Sequence, residues 1–287
     1  MSTRTWTSRP ETVEIDDIAL HVEVTGSGPA MLFVHGMCGD ADVWAGQAQR
    51  FSDSYTCVQY DRRGHSRSGR GHSAIDVHRH ADDAAALIEA LGLAPCLLVG
   101  SSAGAVIAVD VALRHGPLLR GAVFSEPPLV CLDPDARHAL ADILMPIVRR
   151  AADGDKSAAV DAFFTAICPG LWASLDEDGR DRYRANAGIG FTDVRSPSLD
   201  VTPLDLAVVR IPCLVLTGTA SLPALRSVAH RLAAALPNAR LIDIPGSGHV
   251  TYAERPEEFF EAVRVFAAEL DRRPGLATLT GGVPCDR

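Results

Sequence analysis

The chain has no apolar run approaching the ~18 residues that a transmembrane helix needs. Its opening residues, MSTRTWTSRPETVEIDD, carry no apolar stretch of the signal-peptide kind. It has no CxxC pair, and its seven cysteines are an odd number. Cys57, Cys96 and Cys213 fall inside apolar runs that read as buried strands, so core thiols are expected rather than a disulfide framework or a metal site. These absences predict a soluble protein of a reducing compartment, the cytoplasm. Lysine is almost missing: of the 27 basic residues only Lys156 is one, which we read as coding bias rather than chemistry. No internal repeat or low-complexity tract is present.

Positive charge is also short. Lys and Arg number 27 against 36 Asp and Glu, a net −9, and such a surface repels phosphate. That argues against nucleic acid or an anionic membrane as a partner. What is there suits a packed core: 47% apolar and 22% charged residues over 287 positions. A ~300-residue chain folded as one large α/β domain buries about three quarters of its unfolded surface.

Short apolar runs alternate with longer helical patterns, the signature of βαβ units around a mostly parallel sheet. A hairpin is predicted over 12–16 and 19–25, then strands over 30–34 and 55–60, a helix over 77–91 and a strand over 96–99. Residues 103–113 are apolar nearly all round, with Asp110 the single charge, so this helix must be buried on most sides. A strand over 121–125 ends at Glu126-Pro127-Pro128. Composition then turns helical, irregular and charge-rich until strand logic resumes at 213–216, followed by a helix (222–236), a strand (240–244) and a last helix (256–270). The pattern predicts a core of residues 1–128 and 207–272, an inserted helical cap over 129–206 placed where a lid would cover a site, and a flexible Gly- and Thr-rich tail over 273–287.

Gly100-Ser101-Ser102-Ala103-Gly104 matches GxSxG between a buried strand and a buried helix, the context that gives the pattern meaning. An abrupt strand-to-helix turn forces Ser102 toward positive φ, and side chains at the flanking positions would collide, which glycine avoids. The turn projects the Ser102 hydroxyl above the sheet at the positive end of a helix. Serine is a weak nucleophile until a base within hydrogen-bond reach takes its proton. His249, in Gly246-Ser247-Gly248-His249 just past a strand, lies on the edge where open α/β sheets place their sites. His230 falls mid-helix. His72, His78 and His80 cluster before a helix, as a solvated helix start or as a metal site whose carboxylates are missing.

On these residues, with His35-Gly36 and Asp61-Arg62-Arg63-Gly64-His65-Ser66-Arg67-Ser68, the chain resembles the α/β-hydrolase fold family over about residues 12–271. The resemblance implies a mostly parallel eight-stranded sheet flanked by helices with an inserted helical cap. It also implies Ser102 as nucleophile, His249 as base, and His35 as a support of the oxyanion loop.

A carboxylate must fix the imidazole tautomer. In most of the family it follows the strand that is here 213–216, yet the loop reads Thr217-Gly218-Thr219-Ala220-Ser221, and no Asp or Glu occurs from Ile211 through Ile242. Glu126 ends the strand after the nucleophile's helix, on the same sheet edge, with Pro127-Pro128 to stiffen the turn. Haloalkane dehalogenases place their acid there with an Asp nucleophile that this chain lacks; zearalenone lactonases, with Ser and Glu, are more similar. Asp243 lies inside its strand, and Asp200 and Asp205 would approach from the wrong end. Glu126 is therefore the expected acid.

The backbone N–H groups of Ala103 and Met37 are the expected oxyanion donors. Cys38 reads as a small filler, and Trp44 as pocket lining or core. Leu144, Met145, Ile147, Phe163, Phe164 and Trp172 suit an apolar substrate or the packing of the cap itself. The expected function is a cofactor-independent serine hydrolase, without metal, acting on a hydrophobic small carboxylic ester or lactone. The lactone preference rests on the acid position alone. The alternatives are a C–C bond hydrolase or perhydrolase with the same three residues, or a non-catalytic small-molecule receptor, favoured by the acid-free loop 217–221.

Overall fold

The computed structural model describes residues 9–195 and 199–272. The tail expected over 273–287, and the first eight residues of the segment read for a leader, lie outside the described residues. The chain enters through the antiparallel hairpin Arg9–Ile15 (β1) and Ile18–Thr25 (β2). Ala30–Val34 (β3), Ala45–Phe51 (α1), Thr56–Tyr60 (β4), Val77–Ala90 (α2), Cys96–Ser101 (β5), Ala103–Arg114 (α3) and Leu119–Ser125 (β6) follow. Six helices then intervene: Pro134–Ala152 (α4), Lys156–Ile167 (α5), Pro169–Ser174 (α6), Glu177–Ala185 (α7), Ala187–Arg195 (α8) and Pro203–Leu206 (α9). Cys213–Gly218 (β7), Pro223–Ala235 (α10), Ala239–Ile244 (β8), Thr251–Glu254 (α11) and Pro256–Asp271 (α12) complete the chain.

Among the described residues the eight strands form one sheet in the order β1-β2-β4-β3-β5-β6-β7-β8. The pairs β1–β2 and β2–β4 are antiparallel and the others parallel. The parallel strands are apolar throughout because both faces are covered. Successive side chains point to opposite faces, so Leu32, Val34 and Leu98 join the core beneath α2, α3 and α10. Met31, Phe33, Leu97 and Val99 join the core with Phe259, Val263 and Phe266 of α12. α3 is buried on most of its surface, as its all-round apolar sequence requires. The short α1 buries only Gln47, Ala48 and Phe51, a period too weak to be read from sequence.

α4 begins where Asp133 accepts hydrogen bonds from the N–H groups of Asp135 (3.1 Å) and Ala136 (3.2 Å), with Pro134 at its first position. Within the six-helix stretch Phe164 stacks on Trp172 with ring centroids 4.9 Å apart, giving these helices an aromatic core. No described helix is long and apolar enough to cross a membrane. The six described cysteines are free thiols, and burial pushes Cys57, Cys96 and Cys213 up to about 12, so they stay uncharged.

Candidate active site

The sheet register builds the site. Ser101 at the end of β5 pairs with Ser125 at the end of β6, so the next residues, Ser102 and Glu126, emerge side by side on the carboxyl rim. Both hold left-handed backbone, Ser102 at φ +55° and Glu126 at φ +53°, a conformation costing a non-glycine residue on the order of 1–3 kcal/mol. The surrounding hydrogen bonds enforce it. The Ser102 N–H donates to the Ser125 carbonyl (2.9 Å), and the Glu126 N–H to that of Leu216 on β7 (2.8 Å).

Glycines flank Ser102 for a steric reason. A Cβ on Gly100 would lie 2.3 Å from the Gly104 carbonyl oxygen, and one on Gly104 would lie 2.2 Å from that of Val34. The elbow closes only because both are absent, and it delivers Ser102 to the head of α3.

His249 reaches Ser102 from the loop after β8. The Ser102 hydroxyl stands 2.9 Å from His249 Nε2, and Nδ1 stands 3.0 Å from Glu126 Oε2. An ionised carboxylate only accepts, so the ring carries its proton on Nδ1 and leaves Nε2 free to accept from the serine. Glu126 is fully buried and takes three further donors from the end of β7 and the loop after it: the Thr217 hydroxyl (2.5 Å), the Gly218 N–H (2.7 Å) and the Ser221 hydroxyl (2.7 Å). The acid-free segment is thus a cradle for an acid supplied by β6. On the other side Glu254 of α11 accepts from the Gly248 N–H (2.7 Å) and the Val250 N–H (3.3 Å), clamping the backbone on both sides of His249. Thr251 is bonded to Ser125 (2.7 Å), tying that loop to the rim.

The second loop at the rim follows β3. A Cβ on Gly36 would come 3.2 Å from Ser102 Cβ, so the Gly36–Met37 peptide lies against the serine. The Gly36 carbonyl is held by His35 Nδ1 (2.9 Å), Arg62 Nη2 (3.2 Å) and the Gly39 N–H (3.3 Å). His35 Nε2 accepts from the Arg62 N–H (3.0 Å), which assigns the ring proton to Nδ1. In a trans peptide, fixing that carbonyl also fixes the Met37 N–H, which points the opposite way. Ala103 begins α3, where no intrahelical acceptor exists for its N–H.

Asn186, between α7 and α8, stitches this loop to the turn after β4. Its Oδ1 accepts from the Ser66 N–H (2.8 Å), and its Nδ2 faces the Gly39 carbonyl (3.0 Å), the Cys38 carbonyl (3.3 Å) and the Ser66 hydroxyl (2.9 Å). Arg182 adds an ion pair to Asp40 (2.9 Å), whose carboxyl burial raises above its ordinary value while Arg182 pulls it back. Sequence pattern carried no signal for Asn186 or Arg182.

Ser102, Ala103, His249 and Met37 line a cavity of about 550 Å³, closed largely by apolar residues of α3, α4 and α5. Leu144, Met145 and Phe163 face it, whereas Ile147, Phe164 and Trp172 do not. A small void of about 30 Å³ also borders Ser102 and His249, walled in part by Cys168, Tyr183 and Tyr252. Burial raises that thiol and both phenols well above their ordinary values, so this wall is uncharged.

Trp44 is core: it is fully buried, 4.1 Å from the Tyr252 ring, and absent from the cavity. Cys38 is buried at φ +57°, close against Gly190. The histidine cluster divides, correcting the reading of a solvated helix start. His72 and His78 are exposed, but His80 is 2% exposed within α2 and lines the cavity, because α2 turns that side toward the sheet. No group of three or more metal-ligating side chains occurs among the described residues. His230 and Asp243 face each other (3.3 Å) away from the site, Asp205 caps α9 with Thr202, and Asp200 is exposed.

A strand–elbow–helix serine, a histidine after the last strand and this sheet order define an α/β hydrolase. A sequence profile of the alpha/beta hydrolase family matches residues 31–262, and the chain belongs to that family. It is 27% identical over 265 residues to a 2-(acetamidomethylene)succinate hydrolase of Mesorhizobium japonicum, covering 88% of this chain and 93% of that one. An uncharacterized hydrolase, YraK of Bacillus subtilis, is 40% identical over 123 residues, 42% of this chain and 45% of its own length. The fold matches the crystal structure of an enol-lactonase from Burkholderia xenovorans with a TM-score of 0.72 and 19% identity, covering 90% of this chain and 100% of the other.

Proposed function

We propose that the protein is a cofactor-independent serine hydrolase that cleaves a carboxylic ester or lactone of a hydrophobic small molecule. The observation that carries this reading is the unbroken chain of contacts Ser102–His249–Glu126 on the wall of a largely apolar cavity. Ser102 Oγ attacks the substrate carbonyl carbon while its proton passes to His249 Nε2. Glu126 holds the ring tautomer and stabilises the imidazolium. The oxyanion is received by the Met37 and Ala103 N–H groups, the first aimed by the anchored Gly36 carbonyl. Collapse expels the alcohol oxygen, which takes the proton from His249. Water, deprotonated by the same ring, then releases the acyl group from Ser102 as a carboxylic acid. No step calls for a metal or cofactor.

We read the helices of residues 129–206 as a cap, since α4 and α5 supply much of the apolar lining. Free thiols at the six described cysteines fit a reducing compartment. The Mesorhizobium relative is named as a hydrolase, and hydrolysis is the chemistry carried over. With Glu126 beside His249, the acid-free loop no longer favours a receptor that merely binds.

A fluorophosphonate probe tests the reading. It should label the wild-type protein at Ser102 and leave Ser102→Ala unmodified, while turnover of a neutral aryl ester falls by roughly 10³ or more in the variant. A wild type that takes no label and turns over no ester would refute it. A panel of lactones, aryl esters and dienone acids then separates ester cleavage from C–C cleavage.

A further inference from the structure

The chain is acidic, yet among the described residues no Asp or Glu lines the large cavity. Its charged lining consists of Arg62 and Arg137, with His80 and His249 beside them. Arg62 is buried, and its guanidinium contacts the Gly36 carbonyl and His65. Arg137 differs: its side chain makes no hydrogen bond or ion pair with any described residue, and it is exposed at the cavity's edge.

That isolation is built in. Asp133 lies one turn before Arg137, at the spacing where Asp and Arg pair on a helix surface. Its carboxylate is instead taken by Ser227, by Arg231 (2.9 Å) and by the first N–H groups of α4. Helix geometry then sets where Arg137 points. Arg137, Leu140, Ala141, Leu144, Met145 and Val148 fall at i, i+3, i+4, i+7, i+8 and i+11 of α4, and all six line the cavity. Other exposed arginines, such as Arg149 and Arg210, also lack a carboxylate among the described residues, but they do not line the cavity, whereas Arg137 does.

We propose that the substrate carries a carboxylate, and that Arg137 receives it while the ester or lactone carbonyl sits at Ser102. The proposal rests on the serine-hydrolase reading above and narrows it to anionic substrates. A guanidinium binds a carboxylate through two parallel N–H donors, a planar match that one arginine satisfies alone, whereas a doubly charged phosphate calls for more cationic partners. The apolar stripe beyond Arg137 would hold the intervening carbon skeleton. It also lowers the local dielectric, making the pair stronger than an open surface contact.

The test compares p-nitrophenyl butyrate with the mono-p-nitrophenyl ester of glutaric acid, which adds a terminal carboxylate, on the full chain. Wild type should favour the glutarate ester in kcat/KM by about tenfold or more, and raised salt should shrink that preference. Arg137→Gln should abolish the preference, mainly through KM for the glutarate ester, and Arg137→Glu should invert it. Arg149→Gln, on the same helix but outside the cavity lining, should leave the preference intact. Equal use of both esters by wild type, or an equal loss in Arg149→Gln, overturns the assignment of Arg137 while the hydrolase reading stands. If neither ester is cleaved and Ser102 takes no fluorophosphonate, both readings fall.

Discussion

Glu126 Oε1 lies 2.7 Å from the backbone nitrogen of Gly218, one strand away from the segment that carries the carboxylate. The end of β7 and the loop after it have no acid of their own, and they spend the Gly218 N–H and two hydroxyls on an acid from β6. Because Ser125 pairs with both Ser101 and Leu216, Glu126 leaves the sheet between the serine of the β5 elbow and this cradle.

Glu126→Gln should cut kcat on a neutral aryl ester by roughly 10³–10⁴ with a modest change in melting temperature. An amide oxygen can keep the Gly218 bond, which turns the NH2 toward Ser221 and His249. The ring must then accept at Nδ1, moving its proton to Nε2, where it can no longer take one from Ser102. Retention of wild-type kcat would show that Glu126 is not the acid.

Gly218→Ala should destabilise the fold by about 1–3 kcal/mol and lower kcat as well. The added Cβ would meet the carbonyl oxygens of Ser247 at 2.2 Å and Gly248 at 2.4 Å, pushing the cradle and the His249 loop apart. Gly46→Ala, within α1 and with open space around its Cβ, is the contrasting control and should raise stability by about 0.4–1 kcal/mol while leaving kcat unchanged. Chemical denaturation and initial rates on the same preparations read both effects.

Asn186→Leu should reduce kcat about tenfold or more while changing KM little. Its amide anchors the Cys38 and Gly39 carbonyls just beyond Met37, so their loss loosens the proposed oxyanion donor rather than the cavity. A variant that loses stability but keeps kcat would assign Asn186 a purely structural role.

Asp133→Ala should cost roughly 1 kcal/mol at neutral pH by uncapping α4. Ser227 and the Ala136 N–H hold the Asp133 carboxyl down at about 2, below its ordinary 3.8. A carboxyl depressed in the fold adds stability above its unfolded value and loses it as pH falls through the folded one. The gap in melting temperature between wild type and Asp133→Ala should therefore narrow from about pH 4 toward pH 2. A gap that is constant with pH would contradict the assignment.

Much of this architecture is legible in the residues because it is local. A run such as Ala30–Val34 is apolar at every position, which only a strand covered on both faces requires. The glycines around Ser102 state their own steric reason, and the want of any acid from Ile211 to Ile242 moves the expected carboxylate to Glu126 by elimination. The fold brings Ser102, His249 and Glu126 into contact. His80 shows the opposite case: its polar neighbours in sequence suggest a solvated helix start, but the packing of α2 buries it.

By itself, then, the sequence determined the alternation of strands and helices, the elbow, and which acids were absent, since each depends on neighbours a few positions away. Only the tertiary structure decided that Thr217 and Ser221 would cradle Glu126, that Asn186 would pin the loop of Met37, and which side chains of α4 would face the cavity. Those contacts join residues 91 to 147 positions apart, and they follow from strand order and helix docking, which local composition does not encode.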